Sequence, residues 1–338
     1  MQTMLTTSAG GIDVMHLRDL DVPEVLSPLH LRVKLAAAGI NPLDTKLRMK
    51  PVYYPDKLPA ILGCDGAGIV DEIGTEVTRF KVGDQVYFNN GGIGLDPGCY
   101  AEYTTLHEDC CAAKPANLSM QDSSAIPLVL ITAWEALVEK ANIQPGQTVL
   151  VHGGAGGVGH IAVQLARHLG AKVAVTVSDD KKAALTNSLG AHKVINYKKQ
   201  KFVDEVMLWT GMQGVDVVLD TVGGETFTKS IQATKIGGKI VSIIATAMTL
   251  EDAQHARLRN LTICYELMLT AQLMKMHDQR IRQRKILEEG AKLIEAGKLG
   301  VLVSRQLPLI EVGQAHKLIE KGGVMGKIIV TMGLFSLP

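Results

Sequence analysis

At 338 residues the chain is long enough for two domains of ordinary size, and its composition, 46% apolar and 20% charged, is that of a soluble globular protein. A net charge of +1 gives no electrostatic footprint for nucleic acid, and no apolar run is long enough to span a bilayer. The five cysteines (Cys64, Cys99, Cys110, Cys111, Cys264) are odd in number and irregular in spacing, with no charged-then-apolar leader before them, so a cytoplasmic protein with reduced thiols is expected.

Residues 1–125 hold short strand-like runs such as Leu31–Ala36, Gly68–Ile73 and Val86–Phe88, separated by Gly, Pro, Asn and Asp. That spacing predicts a largely antiparallel, barrel-like β domain. A β-branched strand, Thr148–Val151, then runs through His152 into Gly153, Gly154, Ala155, Gly156, Gly157, Val158 and Gly159. Val158, Ile161, Ala162, Leu165, Ala166 and Leu169 recur on one helical face, which Gly170 is placed to end. A strand (Lys172–Val177), a helix (about 180–189, stopped by Gly190) and a short strand at Val194-Ile195 follow. A helix near 201–210, the strand Val215–Asp220, a helix near 225–234 and the strand Lys239–Ile244 continue the alternation. Near-continuous apolar strands between helices predict a parallel, doubly wound α/β domain whose ligand lies at the carboxyl ends of the strands. The last residues mix a helix (about 280–296) with strand-like Val301–Val303 and Lys327–Thr331, too little for a third core, so they are expected to pack back on the N-terminal domain. The cluster Arg280, Arg282, Arg284, Lys285 reads as a solvated helix face.

Gly154, Gly156 and Gly159 fit G-x-G-x-x-G between a strand and a helix, the setting in which the pattern points to a dinucleotide rather than to a surface loop. The glycines allow a tight turn, close approach of backbone to a pyrophosphate and packing of helix on strand, while the helix N-terminus offers unpaired N–H groups. The second strand ends at Ser178, where folds that use NAD usually carry an acid for the ribose hydroxyls, leaving room for a 2′-phosphate. Asp179 and Asp180 complicate this, since either could bind a 2′-hydroxyl or repel a phosphate; a helix N-cap is the structural role for Asp180.

A β-rich N-terminal domain before a late dinucleotide fold resembles the medium-chain dehydrogenase/reductase superfamily. The resemblance spans nearly the whole chain and is strongest to its zinc-independent quinone oxidoreductase, or zeta-crystallin-like, branch. It rests on Ala38-Gly39-Ile40-Asn41-Pro42-Leu43-Asp44, Gly63-Cys64-Asp65-Gly66-Ala67-Gly68, Val82-Gly83-Asp84-Gln85-Val86, Ala125-Ile126-Pro127, Thr132-Ala133-Trp134-Glu135-Ala136-Leu137 and Gly326-Lys327-Ile328. It implies a GroES-like catalytic domain over 1–125, a Rossmann domain over 126–268, and a segment, 269–338, that returns to the first. Zinc-dependent alcohol dehydrogenases of the superfamily place Cys at the position of Asn41, a relay hydroxyl at Leu43, and His and Glu at Cys64 and Asp65. A catalytic zinc needs three protein ligands, and the four-cysteine structural lobe has no counterpart between Val86 and Cys111, so no metal is expected. Cys64 then reads as a small buried residue ahead of a nucleophile.

Without zinc, an electrophile that accepts hydride directly, a quinone or an α,β-unsaturated carbonyl, fits better than an alcohol. Asn41 is the candidate polar group at the nicotinamide, since an amide donates without titrating, and it also suits the turn before Pro42. Tyr53 and Tyr54 fall in a substrate-side loop and serve either to orient substrate or to pack. Asp44 is expected in an internal ion pair, with Lys327 as partner. The resemblance places Thr132, Gly157, Val158 and Lys327 with the cofactor set, and Lys182 and Tyr197 (within Ile195-Asn196-Tyr197) at a 2′-phosphate, which favours NADPH. The expectation is therefore an NADPH:quinone oxidoreductase-like enzyme, with a zinc alcohol dehydrogenase or a non-enzymatic NADPH-binding sensor or structural protein as the rivals. The apolar Asn260–Leu269 run suggests a homodimer or homotetramer formed at a sheet edge. Substrate specificity is expected in loops at about 50–57 and 245–257.

Overall fold

A computed structural model describes residues 1–50, 53, 56–94 and 96–333; Tyr54 lies outside the described residues. The chain divides into two compact units, Met1–Leu128 with Leu269–Gly297 and Val301–Pro338, and Val129–Met268 with Lys298–Gly300.

The first unit begins with β1 (Gln2–Thr6), β2 (Met15–Asp19), β3 (His30–Ile40), α1 (Pro42–Met49), β4 (Ala60–Ile61), β5 (Asp65–Ile73) and β6 (Gln85–Asn89). It continues with β7 (Tyr103–His107), β8 (Cys111–Ala113) and the short α2 (Met120–Ser124), and α3 (Pro127–Trp134) leads out of it. In the second unit β9 (Thr148–Val151), α4 (Gly157–His168), β10 (Lys172–Val177), α5 (Asp180–Ser188), β11 (Lys193–Asn196) and α6 (Phe202–Trp209) alternate. Then come β12 (Val215–Asp220), α7 (Glu225–Ala233), β13 (Thr234–Ser242), α8 (Leu250–Leu258) and β14 (Thr262–Tyr265). The return segment brings α9 (Thr270–Leu273), α10 (His277–Glu295), β15 (Val303–Pro308), α11 (Val312–Lys321) and β16 (Lys327–Thr331).

In the second unit six strands pair in the order β11-β10-β9-β12-β13-β14, every pair parallel, which is the doubly wound arrangement the alternating apolar strands predict. Its core gathers Leu150, Ala174, Ile195, Val206, Val218, Phe227, Ile231 and Ile240, drawn from strands and from the helices that cover them. Gly170 and Gly190, at φ +81° and +92°, end α4 and α5 in the left-handed conformation that glycine adopts without strain. β13 starts earlier than expected and runs through Gly237-Gly238, because its pairing with β12 resumes across an irregularity between Val215 and Val217. Residues 250–258, expected in a loop, form α8, whose N-terminus Thr249 and Asp252 close as a capping box.

In the first unit a seven-stranded sheet runs β15-β16-β3-β5-β6-β8, with β7 also on β3, and β1 joins β2 and β4 in a smaller sheet. All these pairs are antiparallel except β15 with β16. The last strand, β16, lies directly against β3 with Ile328 opposite Ile40. α10 does not carry a solvated basic face. Arg280 and Arg284 are buried, Arg280 donating to the Asn89 carbonyl (2.6 Å) and Arg284 to Glu288 (2.6 Å), because that face of the helix is turned toward β6 and β8 rather than outward. Arg282 and Lys285 are exposed. Among the described residues, no helix is long and apolar enough to cross a membrane.

Candidate active site

In the second unit, the loop after β9 brings Gly154, Gly156, Gly157, Val158 and Gly159 together at the N-terminus of α4. Each fingerprint glycine has a different neighbour. A Cβ on Gly154 would lie 2.7 Å from that of Val175, and one on Gly159 would lie 2.2 Å from the Gly153 carbonyl oxygen. Both are therefore required by packing. On Gly156 it would meet one atom within 4 Å, the Gly153 oxygen at 3.2 Å, a slightly tight contact with open space on its other sides. The N-cap of α4 is Gly156 itself and no side chain caps the helix. An open cradle below an uncapped, positive helix end fits the pyrophosphate of a dinucleotide.

His152, which sequence reasoning passed over, holds this loop. Its Nδ1 meets Thr176 Oγ1 (3.1 Å), its Nε2 meets Ser230 Oγ (2.9 Å), and Gly153 N–H donates to Thr176 Oγ1 (3.2 Å). Burial pushes His152 down to about 4, so at neutral pH it is an uncharged bridge between β10, α7 and the loop.

At the end of β10, Lys182 Nζ donates to Ser178 Oγ (3.0 Å) and lies 3.8 Å from Asp179. Asp179, not Asp180, caps α5: its Oδ1 accepts the Lys182 N–H (3.0 Å) and its Oδ2 accepts Ser178 O–H (2.7 Å), bonds that lower its pKa. Asp180 lies one position inside the helix and pairs with Lys199 (3.1 Å). Asn196 is in register with Val177, so Tyr197, half exposed, stands beside the Ser178 turn. Ser178 and Lys182 are thus in contact, with the Tyr197 backbone at the adjacent strand end and the Asp179 carboxylate turned into its own helix. Thr132 is buried on α3.

In the first unit, Asn41 caps α1 and lies, with Asp44, Cys64, Asp65 and Lys327, inside one buried polar cluster. Asp65 is its hub. Its Oδ1 accepts Asn89 Nδ2 (2.9 Å) and the Leu128 N–H (2.8 Å), and its Oδ2 accepts Asn41 Nδ2 (3.0 Å) and faces Lys327 Nζ at 3.5 Å. Lys327 also donates to Asn41 Oδ1. The ion pair of Lys327 is therefore with Asp65, not with Asp44 as expected. Burial pulls the Lys327 ammonium below its ordinary value, and Asp65 and Asp44 oppose that shift.

Asp44 instead accepts, on one oxygen, the Asn41 N–H (2.8 Å) and the Tyr100 hydroxyl (2.8 Å), and faces the Cys64 thiol with the other (3.9 Å). Tyr100 is met by His316 Nε2 (3.3 Å), whose Nδ1 lies 3.4 Å from Arg48 Nη1, and Arg48 pairs with Glu320 (2.5 Å). An arginine can only donate, so it fixes His316 with its proton on Nε2, pointing at Tyr100. Burial, and then Arg48, push His316 down to about 3. These partners come from sequence positions too distant for any motif to announce. Tyr53 is half-buried, and burial, then Cys64, raise its phenol pKa.

Burial raises Asp44 from 3.8 to about 7, so between those values the folded chain keeps a proton that the unfolded chain has released. The stability this contributes is full below about pH 4 and is lost as pH rises through 7. Asp44→Asn preserves the shape and the accepting oxygen. Urea denaturation at pH 5 and pH 8 should show the variant gaining relative to the wild type by up to about 1.4 kcal/mol per pH unit across that window. An unchanged difference between the two proteins would refute the assignment.

This donor set does not fit a catalytic zinc. Asn41 Oδ1 and both Asp65 oxygens are taken, an ammonium stands among them, and burial, followed by the Asp44 and Asp65 charges, raises the Cys64 thiol well above its ordinary value, against the thiolate a metal needs.

Residues 27–116 match the alcohol dehydrogenase GroES-like domain and residues 189–330 match the zinc-binding dehydrogenase family. The chain is 33% identical over 313 residues to a 2-haloacrylate reductase of Burkholderia sp, covering 90% of this chain and 91% of that protein. It is 28% identical over 335 residues to the human quinone oxidoreductase, covering 98% of each. The crystal structure of Escherichia coli quinone oxidoreductase complexed with NADPH superposes with a TM-score of 0.87 at 29% identity, covering 98% of this chain and 100% of that one. A GroES-like domain joined to a parallel dinucleotide sheet defines an oxidoreductase of known architecture. The chain belongs to the medium-chain dehydrogenase/reductase superfamily, among its quinone oxidoreductases.

Proposed function

We propose that this chain is an NADPH-dependent, metal-free reductase of quinones or α,β-unsaturated carbonyl compounds. The observation that carries the reading is the cluster around Asp65: two of the positions that hold zinc in the alcohol dehydrogenases of the superfamily, Asn41 and Asp65, are here joined to each other and to Lys327. Bound NADPH supplies the hydride, and the protein must orient the acceptor and steady the negative charge that grows on its oxygen. Asn41 suits that task. Its Oδ1 is occupied by Lys327 and one Nδ2 hydrogen by Asp65, which leaves the second Nδ2 hydrogen to donate. The Lys327 bond polarises the amide and strengthens that donor. The Tyr53 phenol, uncharged at neutral pH, is proposed to orient the substrate.

For the cofactor, Ser178, Lys182 and Tyr197 are proposed to receive the 2′-phosphate, and Thr132 and the glycine loop the rest of the dinucleotide. NADPH oxidation should proceed with 1,4-benzoquinone, 9,10-phenanthrenequinone or a simple enone in chelator-treated buffer. Lys182→Ala should weaken NADPH binding by roughly 10–100-fold and leave NADH binding unchanged, because only the phosphate uses that charge. Activity that vanishes with the chelator would sink the metal-free reading. Tight NADPH binding without turnover on any of these acceptors would favour a sensor. β14, with half-exposed Tyr265, is the edge of its sheet and is proposed to pair with a second copy; elution as a monomer would overturn that.

A further inference from the structure

We propose that His107, Asp109 and His277 form a binding site for a divalent transition-metal ion of the zinc, nickel and cobalt class. One ligand atom from each of the three lies within 4.8 Å of the other two. His277 Nε2 is 3.2 Å and His107 Nδ1 3.8 Å from the same oxygen, Asp109 Oδ2, and the two imidazole rings stand edge to face with centroids 5.0 Å apart. Neighbouring ligands of a tetrahedral ion with bonds of about 2.0–2.1 Å lie roughly 3.3 Å apart, so His277 and Asp109 already stand at ligand spacing, and a shift of about half an ångström between His107 and Asp109, with a turn of the exposed His277 ring, closes the set. Two imidazoles and a carboxylate select zinc-like ions over magnesium or calcium, which prefer oxygen alone.

The surroundings support coordination. Asp109 gives Oδ2 to the histidines and turns Oδ1 toward Arg284 Nε at 3.8 Å, and that buried Nε has no hydrogen-bond partner. A ligand carboxylate is ordinarily held through its outer oxygen, and here Arg284 faces that oxygen by charge, without a hydrogen bond. The Arg284 charge is answered by Glu288 (2.6 Å), which also holds Arg79 (2.8 Å). Behind His107, across the β3–β7 pair, stands His30 (ring centroids 5.7 Å). His107 Nδ1 accepts the Asp109 N–H (3.1 Å), so its lone pair is already presented, and the ion would take the place of that bond. None of these residues belongs to the cluster around Asp65, and the mixed His and Asp donors differ from a four-cysteine lobe. The site joins the end of β7 and the turn at Glu108–Cys110 to the first residue of α10, so an ion here would staple the return segment to the N-terminal chain.

The test is calorimetric titration of the chelator-treated full chain with Zn²⁺, Ni²⁺ and Mg²⁺, with thermal melting alongside. Zn²⁺ and Ni²⁺ should bind saturably in the micromolar range and raise Tm by about 2 °C or more, and Mg²⁺ should do neither. His277→Ala, at an exposed helix start, and Asp109→Asn should each weaken Zn²⁺ by roughly tenfold or more while melting normally without metal. Co²⁺ should give d–d bands without thiolate charge transfer. No micromolar binding, full Zn²⁺ affinity in either variant, or thiolate bands that point to Cys110 or another cysteine would overturn the proposal.

Discussion

Gly159→Ala should lower the melting temperature of the ligand-free chain and weaken NADPH binding by roughly 10–100-fold, while Gly156→Ala should lower it far less and still lose NADPH affinity. The two glycines stand three residues apart in one loop, yet they serve different neighbours. A methyl group on Gly159 would sit 2.2 Å from the Gly153 carbonyl oxygen and 2.9 Å from the Gly154 Cα. Those atoms are backbone, so α4 would have to move off the turn, and overpacking of this kind typically costs about 1–3 kcal/mol. At Gly156 the backbone φ is −79°, comfortable for alanine, and the single close protein atom is 3.2 Å away. Any affinity lost there is lost to the ligand's own atoms. Thermal melting of the apo variants and fluorescence titration with NADPH separate the two effects. If Gly156→Ala binds NADPH as the wild type does, the open space beside it is not the pyrophosphate cradle.

Lys327→Met should destabilise the chain by about 3–5 kcal/mol in urea denaturation. Methionine fills the volume of the stem but leaves the Asp65 carboxylate buried without its cation. Asp65 cannot relieve the strain by turning, because Asn89, Leu128 and Asn41 already hold both of its oxygens. Adding Asp65→Asn to Lys327→Met should recover part of the loss, since it removes the charge while one oxygen still accepts, and the coupling can be read from the double-mutant cycle. On the proposed reductase mechanism kcat should fall in Lys327→Met even where the protein remains folded, because Asn41 loses the bond that polarises it. A loss under about 0.5 kcal/mol, that of an ordinary surface change, would show that the pair carries no such weight.

The second unit was largely legible in the sequence because its strands are buried on both faces. Val149–Val151, Val173–Val177 and Val217–Leu219 are continuous apolar runs, and each helix between them shows its own period or its own stop. Where the reading slipped, a local signal was ambiguous. Asp179 and Asp180 are both good caps, and only the backbone shows which one lies outside the helix. Gly237-Gly238 reads as a turn by composition, and although β13 spans it, the ladder with β12 skips these residues, pairing Thr234 and then Lys239 onward. The first unit's cluster was legible in its members and not in its wiring. Asn41, Cys64, Asp65 and Lys327 stand out, but the choice of Asp65 over Asp44 as partner to Lys327 depends on how β3, β5 and β16 align. Tyr100, His316 and Arg48 carry no motif at all. Arg280 and Arg284 looked like solvent residues because charge on a helix usually faces water, and although Arg284 pairs with Glu288 on its own helix, the Asn89 carbonyl that receives Arg280 and the Asp109 carboxylate that faces Arg284 come from elsewhere in the chain.

The position of β16 also sets an order of events during synthesis. Lys327 and Asn41 are 286 residues apart, and the strand that carries Lys327 pairs with β3 and not with its own neighbours in sequence alone. On the ribosome, the parallel sheet of the second unit has all its strands once β14 has emerged. The first unit must wait with the Ala37–Ile40 end of β3 open on one side and Asp65 without its cation until Lys327 has left the exit tunnel. A nascent chain halted before Lys327 would therefore present a finished nucleotide fold beside an exposed strand edge, the state most in need of a chaperone.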